Sequence, residues 1–343
     1  MKRRVFLILL LAALLCGACS RDGGLYKSTR EIMGTYVTIT AVREGIPEVL
    51  VRAGVADGFK EIERVDRLMS TYKPESELSE INRQAGVRPV KADPEVVATI
   101  KDSLDVARMT DGAFDPTVGP LVRLWGIGGD KARVPSPDEI KKALILVDYR
   151  QVVVDEKAGT VFIKKKGMAI DLGGIAKGYA SDLAVKAMEA KGVRGGIVAV
   201  AGDLKLFGAR EGASLWRIGI QHPREEGALI AKLDATDIAT STSGDYERFF
   251  IKDGVRYHHI TDPRTGYPAK GLISVTVLAK QSYLADSLAT GLFVMGPDKA
   301  YAFAQAHTEL EVLLVTSEGR ILATGRFKGL DIAPVKVEQE RPS

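Results

Sequence analysis

The chain has 343 residues, of which 45% are hydrophobic, 27% charged and 6% aromatic, the mix of a folded globular protein rather than a disordered or fibrous one. Lys and Arg number 48 against 44 Asp and Glu, a net +4, far from the basic stripe of a nucleic-acid binder. That argues against nucleic acid as a partner. A chain of this length buries a sizeable core without a disulfide scaffold, in keeping with its two cysteines.

Residues 1–18 carry Lys2, Arg3 and Arg4, then an apolar run over 5–15, then Cys16, Gly17 and Ala18 before Cys19. This is the layout of a secretory signal, and the run is shorter than the roughly 20 residues of a membrane-spanning helix. Gly17 and Ala18 ahead of Cys19 resemble a bacterial lipobox; Cys16 follows the bulky Leu15 and is the poorer acceptor. Acylation of Cys19 would hold the body at a membrane surface. The expected location is the cell envelope, facing the periplasm, with Ser20 rather than Asp slightly favouring the outer membrane. Loss of residues 1–18 removes three basic residues and no acidic one, so the apparent basicity belongs mostly to the export signal. Residues 19–29 read as a polar tether, 30–335 as one catalytic domain and 336–343 as a tail.

Along the body, residues 36–42 alternate with period two and predict a strand. Pro47 opens a long helix to about Met69, with Val51, Val55, Phe59, Ile62 and Val65 at helical spacing. A polar loop is expected over 70–92. Asp93-Pro94-Glu95 reads as an N-cap with proline at N1, starting a helix that stops near Gly112. Ser136-Pro137-Asp138-Glu139 is a capping box opening a short helix. From 151 to 170 the pattern turns to β-branched runs joined by a hairpin at Lys157-Ala158-Gly159. A helix follows from near Gly174 to about Ala190, then strands at 196–200, 204–208, 216–220 and 272–279. Helices at 282–295 and 297–306 and a last pair of strands complete the chain. Strict helix–strand alternation is absent, so the fold class is α+β, with mixed or antiparallel sheets flanked by helices.

Five segments carry residues suited to chemistry. In Asp171-Leu172-Gly173-Gly174-Ile175-Ala176-Lys177-Gly178, adjacent glycines at a strand-to-helix junction free backbone N–H groups for an anion, with Lys177 one turn in; a tight turn with a surface lysine is the equal alternative. His258 and His259 sit at the end of a strand and face opposite ways, which argues against a paired metal site and for one histidine in a site and one structural. Asp286 and Thr290, spaced i, i+4, share a face of an apolar helix. From spacing alone an ion pair to Lys or Arg is the favoured partner for Asp286, and a hard cation with oxygen ligands is the alternative. The loop from Gly112 to Pro120, with Ala113, Phe114 and Asp115, suits ring recognition or a turn with Phe114 plugged into the core. Met33-Gly34-Thr35 precedes a strand and leaves room at Gly34 for a ligand.

In this order, together with Ser70-Thr71-Tyr72, Gly202-Asp203 and Ser241-Thr242-Ser243-Gly244, these motifs resemble the ApbE family, the FAD:protein FMN transferases. The resemblance covers nearly all of the chain beyond the signal, and the lipoprotein signal matches too. It implies FAD against Met33, Tyr72, Ala113, Phe114, Asp115, Asp171, Lys177 and Ile260. It also implies Mg²⁺ held by the carbonyl of Gly174 and the side chains of Asp286 and Thr290. The implied reaction moves FMN from FAD to a Thr or Ser hydroxyl of a target flavoprotein, releasing AMP. The expected targets are subunits of membrane redox complexes. His259 is the candidate base and Asp286 its competitor. An Mg²⁺-dependent FAD pyrophosphatase, or a non-catalytic flavin-binding lipoprotein, are the competing expectations; Tyr72 tilts toward the transferase.

Overall fold

The computed structural model describes residues 24–337, and the signal, Cys19 and residues 338–343 lie outside them. Strands β1 (Leu25–Ile32) and β2 (Thr35–Val42) form a hairpin and are followed by α1 (Glu48–Met69), α2 (Glu77–Arg83), β3 (Val90–Lys91), α3 (Pro94–Met109), α4 (Gly119–Trp125) and α5 (Pro137–Leu144). Then come β4 (Val152–Asp155), β5 (Thr160–Ile163), α6 (Ala176–Ala190), β6 (Gly196–Val200), β7 (Asp203–Phe207), β8 (Trp216–Gln221), β9 (Leu229–Ala235) and β10 (Ala239–Gly244). The chain closes with β11 (Phe249–Lys252), β12 (Val255–His258), β13 (Leu272–Ala279), α7 (Ser282–Met295), α8 (Pro297–Ala306), β14 (Glu311–Thr316) and β15 (Ile321–Ala323). The fold is α+β, as the sequence predicts.

Eight strands make the main sheet in the order β1-β2-β6-β7-β10-β13-β14-β15, and every neighbouring pair is antiparallel. Helices cover one face: Val37, Ile39, Val198, Val200, Val275 and Val277 pack with α1, α6 and α7 in the larger core. The β8–β9 hairpin covers the other, where Leu206, Ile273 and Leu313 meet Trp216, Ile218 and Leu233. All eight residues of β13 are buried, which explains a continuous apolar run rather than an alternating one.

Three sequence expectations are corrected. The tether ends earlier than residue 29, because Leu25 to Ile32 pair along their whole length with Thr35 to Val42; charged Lys27, Arg30 and Glu31 mask that strand. The loop over 70–92 contains α2 and β3. Helix α2 shows the sequence little beyond two buried apolar residues, Leu78 and Ile81, and a Ser76 cap that accepts from Ser79 N–H. The loop from Gly112 passes into α4 at Gly119.

Candidate active site

The site is built where α6 begins. Its N-cap position, Ile175, supplies no side-chain cap, so the first-turn N–H groups need an outside acceptor. Asp286 on α7 provides one: its Oδ2 accepts from Gly178 N–H at 3.1 Å, and its Oδ1 meets Lys177 Nζ at 2.7 Å. The two helices approach closely because position 178 has no side chain; a Cβ there would lie 2.3 Å from the Ser282 carbonyl oxygen. Helix α7 has no side-chain cap from its own N-cap residue either. Instead Asp182, one turn along α6, accepts from Ser282 N–H at 2.8 Å and Tyr283 N–H at 3.2 Å, and it pairs with Lys205. Each helix thus caps the other, which fixes Lys177 opposite Asp286.

Asp203 is the third member of the cluster. The turn before it, at Ala201 and Gly202, takes φ of 52° and 92°, and it delivers the carboxylate 3.4 Å from Lys177 Nζ. Ser241 hydroxyl and Thr242 N–H donate to its other oxygen at 2.6 and 3.2 Å. Two buried carboxylates therefore share one lysine. Burial, outweighing Lys177 and reinforced by Asp286, pushes Asp203 up to about 6. Burial lowers the Lys177 amine, but Asp286 and Asp203 outweigh it and hold the amine well above the usual lysine range.

The remaining residues gather around this cluster. Gly173 N–H closes a turn on Asp171 Oδ1 at 2.8 Å. A Cβ on Gly174 would lie 3.5 Å from Thr290 Oγ1 and 3.1 Å from the Phe114 ring, so the double-glycine turn, Thr290 and Phe114 are neighbours. Thr290 Oγ1 stands 3.3 Å from Ser243 Oγ. Burial raises Asp171, while Gly173 N–H and the charges of Arg123 and Arg248 oppose it. The β1–β2 turn at Met33 (φ 58°) and Gly34 (φ 67°) closes that hairpin. It lies at the Asp203 end of the sheet, since Ala201 N–H donates to Tyr36 O. A non-glycine residue at such a φ stores strain of about 1–3 kcal/mol.

The two histidines divide as adjacent strand residues must. His258 is buried, donates through Nε2 to Ala269 O at 2.9 Å and accepts Ile260 N–H on Nδ1; this pattern assigns the Nε2–H tautomer. His259 faces the other way, open to solvent at one edge yet crowded by protein elsewhere. Its Nδ1 sits 3.3 Å from Arg248 O, which places the proton on Nδ1 and leaves the Nε2 lone pair free. Burial, then Arg248, His258 and Lys177, lowers its ring to about 4. Ile260, next in the chain, is buried and accepts Ala269 N–H.

Two residues of the Gly112–Pro120 loop are engaged within the protein, Phe114 as the plugged-turn alternative has it. Asp115 is buried, accepts from Thr117 N–H, Thr117 Oγ and Tyr149 N–H, and so staples its own loop. Phe114 is buried in the core, beside Ala113, and floors the Gly173-Gly174 turn. Tyr72 stands 83% exposed after α1, and no hydrogen bond or ring contact joins it to the Lys177 cluster among the described residues. Asp182 and Arg248 escaped the sequence reading, and Asp203 entered it only as part of a motif. A lone Asp in a helix and an Arg before a strand carry no spacing signal. Two cavities of about 300 and 420 Å³ flank Arg264; neither contains Lys177, Asp203 or Asp286.

The donor set suits a hard cation. Asp286 carboxylate, Thr290 hydroxyl and the main chain of Gly174 offer oxygen alone, and the pairing of Lys177 with both Asp203 and Asp286 leaves an excess of negative charge. No group of three or more His, Cys, Asp or Glu able to hold a metal occurs among the described residues, so such an ion would rely on further oxygens from a ligand or water.

Fold and site together define an α+β enzyme in which a lysine at a helix start is held between two buried carboxylates. A family model described as the ApbE family matches residues 33–314, and the chain belongs to that family. It is 34% identical over 337 residues to the FAD:protein FMN transferase of Treponema pallidum, covering 92% of each chain. It is 32% identical to that of Vibrio cholerae, covering 95% of this chain and 98% of the other. The ApbE protein of Thermotoga maritima superposes with a TM-score of 0.83 at 37% identity, over 90% of this chain and all of that one. The flavinyl transferase ApbE of Pseudomonas stutzeri gives 0.79 at 31% identity, over 91% and 98%.

Proposed function

We propose that this enzyme transfers FMN from FAD to a Ser or Thr hydroxyl of a target flavoprotein, with AMP as the second product. The observation that carries the reading is Lys177, set in the first turn of α6 between Asp203 and Asp286, beside the Gly173-Gly174 turn. A fixed ammonium group in the first turn of a helix, beside a double-glycine turn, is a receptor for the FAD pyrophosphate. In the reaction the acceptor oxygen bonds to the FMN phosphorus, the phosphorus–oxygen bond to AMP breaks, and the hydroxyl proton passes to Nε2 of His259. Lys177 steadies the charge on the bridging phosphates, and the mutual capping of α6 and α7 holds it there. Mg²⁺, bound by Asp286, Thr290 and the Gly174 carbonyl, would supply charge neutralisation at the pyrophosphate.

The FAD contacts implied for Met33, Ala113, Phe114, Asp115, Asp171 and Ile260 belong to this same reading. So does Tyr72, as a contact made on ligand binding. The reading extends to a lipid on Cys19, the periplasmic face of the envelope and acceptors in membrane redox complexes. Incubation with FAD, Mg²⁺ and candidate acceptor proteins tests it: a fluorescent band in a denaturing gel together with AMP is the expected result. Free FMN and AMP without a labelled protein would make the enzyme a pyrophosphatase, and no product would make it a binder. Asp286→Ala is expected to lose Mg²⁺-dependent turnover by at least two orders of magnitude. Full activity in that variant would remove the metal assignment.

A further inference from the structure

The β11–β12 hairpin stands apart from the main sheet, and among the described residues its strands pair only with each other. His259 N–H donates to Arg248 O, and this fixes the phase of the ladder. Phe250 with Tyr257 and Lys252 with Val255 face inward as hydrogen-bonded pairs, so the N–H and C=O groups of Phe249 and Ile251 point outward along the free edge. No hydrogen bond takes up those outward groups among the described residues. Phe249 and Ile251 are alternate residues and share a face, 40% and 61% exposed. Arg256, paired with Ile251, lays its guanidinium 3.9 Å over the Phe249 ring.

The opposite face is anchored. Phe250 stacks on Tyr257 with ring centroids 5.3 Å apart, Tyr257 lies 5.6 Å from Trp125, and buried Trp125 donates to Gly266 O. The free edge is thus a firm platform. Natural sheets guard such edges with charge, proline or brevity: β1 carries Lys27, Arg30 and Glu31, and β15 has three residues. Strand β11 reads Phe-Phe-Ile-Lys, with its charge at the far end from His259. Its near end follows Arg248, whose carbonyl holds the His259 ring and whose charge acts on Asp171. The near end of the edge therefore lies beside the His259 ring.

We propose that the free edge of β11 receives the acceptor polypeptide as an added strand, delivering its Ser or Thr hydroxyl to Nε2 of His259. This rests on the reading of the enzyme as an FMN transferase. Of the two substrates of that reaction, FAD has no row of amides and carbonyls to match such an edge. An extended polypeptide does. The surface suits a segment with alternate apolar side chains over Phe249 and Ile251 and an acidic group near Arg256.

The test uses Ile251→Pro, which removes one outward N–H and spares the inner ladder, and Ile251→Glu, which charges the exposed face. Val153→Glu, at an exposed position on β4, is the control. The acceptor is the protein that the wild-type enzyme labels in the gel assay, and circular dichroism verifies folding. Both variants are expected to raise KM for the acceptor at least tenfold while kcat at saturation and KM for FAD hold, with the control unchanged. An unchanged acceptor KM in the folded Ile251→Glu variant overturns the proposal. So does a wild-type dimer that these variants dissolve, since the edge then serves a second copy. A wild type that labels no protein defeats the transferase reading itself, and the docking edge with it.

Discussion

At the scale of single residues, the proposed chemistry turns on two side chains held away from their ordinary protonation behaviour. Lys177 stays charged because two carboxylates outweigh its burial. His259 stays neutral at pH 7 because burial and the cations Arg248 and Lys177 disfavour imidazolium. A neutral ring with Nε2 free is the state a general base requires. The acid limb of kcat/KM for FMN transfer should therefore fall well below the ordinary histidine value of 6.5, toward about 4, with solvent at the exposed edge moderating the shift. Rates measured between pH 4 and 8 check this. His259→Ala should bind FAD normally yet transfer at least a hundredfold more slowly, and a variant with the wild-type rate and limb would remove His259 from the mechanism.

At the scale of elements, the reciprocal capping of α6 and α7 sets the distance between Lys177 and Asp286. Asp182→Ala removes the acceptor for Ser282 and Tyr283 N–H, a cap worth about 1 kcal/mol, and strips largely buried Lys205 of its carboxylate. The expected result is a lower Tm together with weaker FAD binding by fluorescence titration, both partly recovered by Asp182→Asn, whose side-chain oxygen still accepts. Little of this was legible in the sequence. The helices themselves were, since apolar spacing and the N-terminal signals at Asp93 and Ser136 are local. The motif Asp171 to Gly178 and the pair Asp286 and Thr290 were also visible, because a glycine pair and an i, i+4 spacing leave marks on one segment. What joins them is not local. That Lys177 is the partner of Asp286, that Asp203 shares it, and that Asp182 caps the other helix follow from α6 meeting α7 at Gly178, more than 100 residues apart in the chain. Asp115 shows the converse: a conspicuous acid in a rigid loop, fully engaged in holding that loop.

At the scale of the whole molecule, the helical layer and the β8–β9 layer clamp one antiparallel sheet, and the Lys177 cluster lies where α6 and α7 meet the start of β7. No helix among the described residues is long and apolar enough to cross a membrane. Stability of the whole should carry a signature of His258, which bridges the segment after β12 to Ala269 from inside the core. Burial lowers its pKa; the bond to Ala269 and the charge of Asp245 oppose this incompletely, and Arg256 adds to it. The folded protein therefore binds fewer protons at this site than the unfolded chain, whose histidine titrates near 6.5. The stabilisation is complete above that value and is lost as pH falls from 6.5 toward the lowered folded pKa, by about 1.4 kcal/mol for each tenfold difference in proton affinity between the folded and unfolded chains. Protonating Nδ1 would also set a second proton against Ile260 N–H, which that nitrogen now accepts. Urea unfolding at pH 7.5, 6 and 5 should show the wild-type midpoint declining across this window. His258→Gln keeps a donor for Ala269 but cannot take up a proton, so it should be less stable at pH 7.5 and show a flatter decline. An equal slope in both proteins would assign the acid sensitivity to other groups.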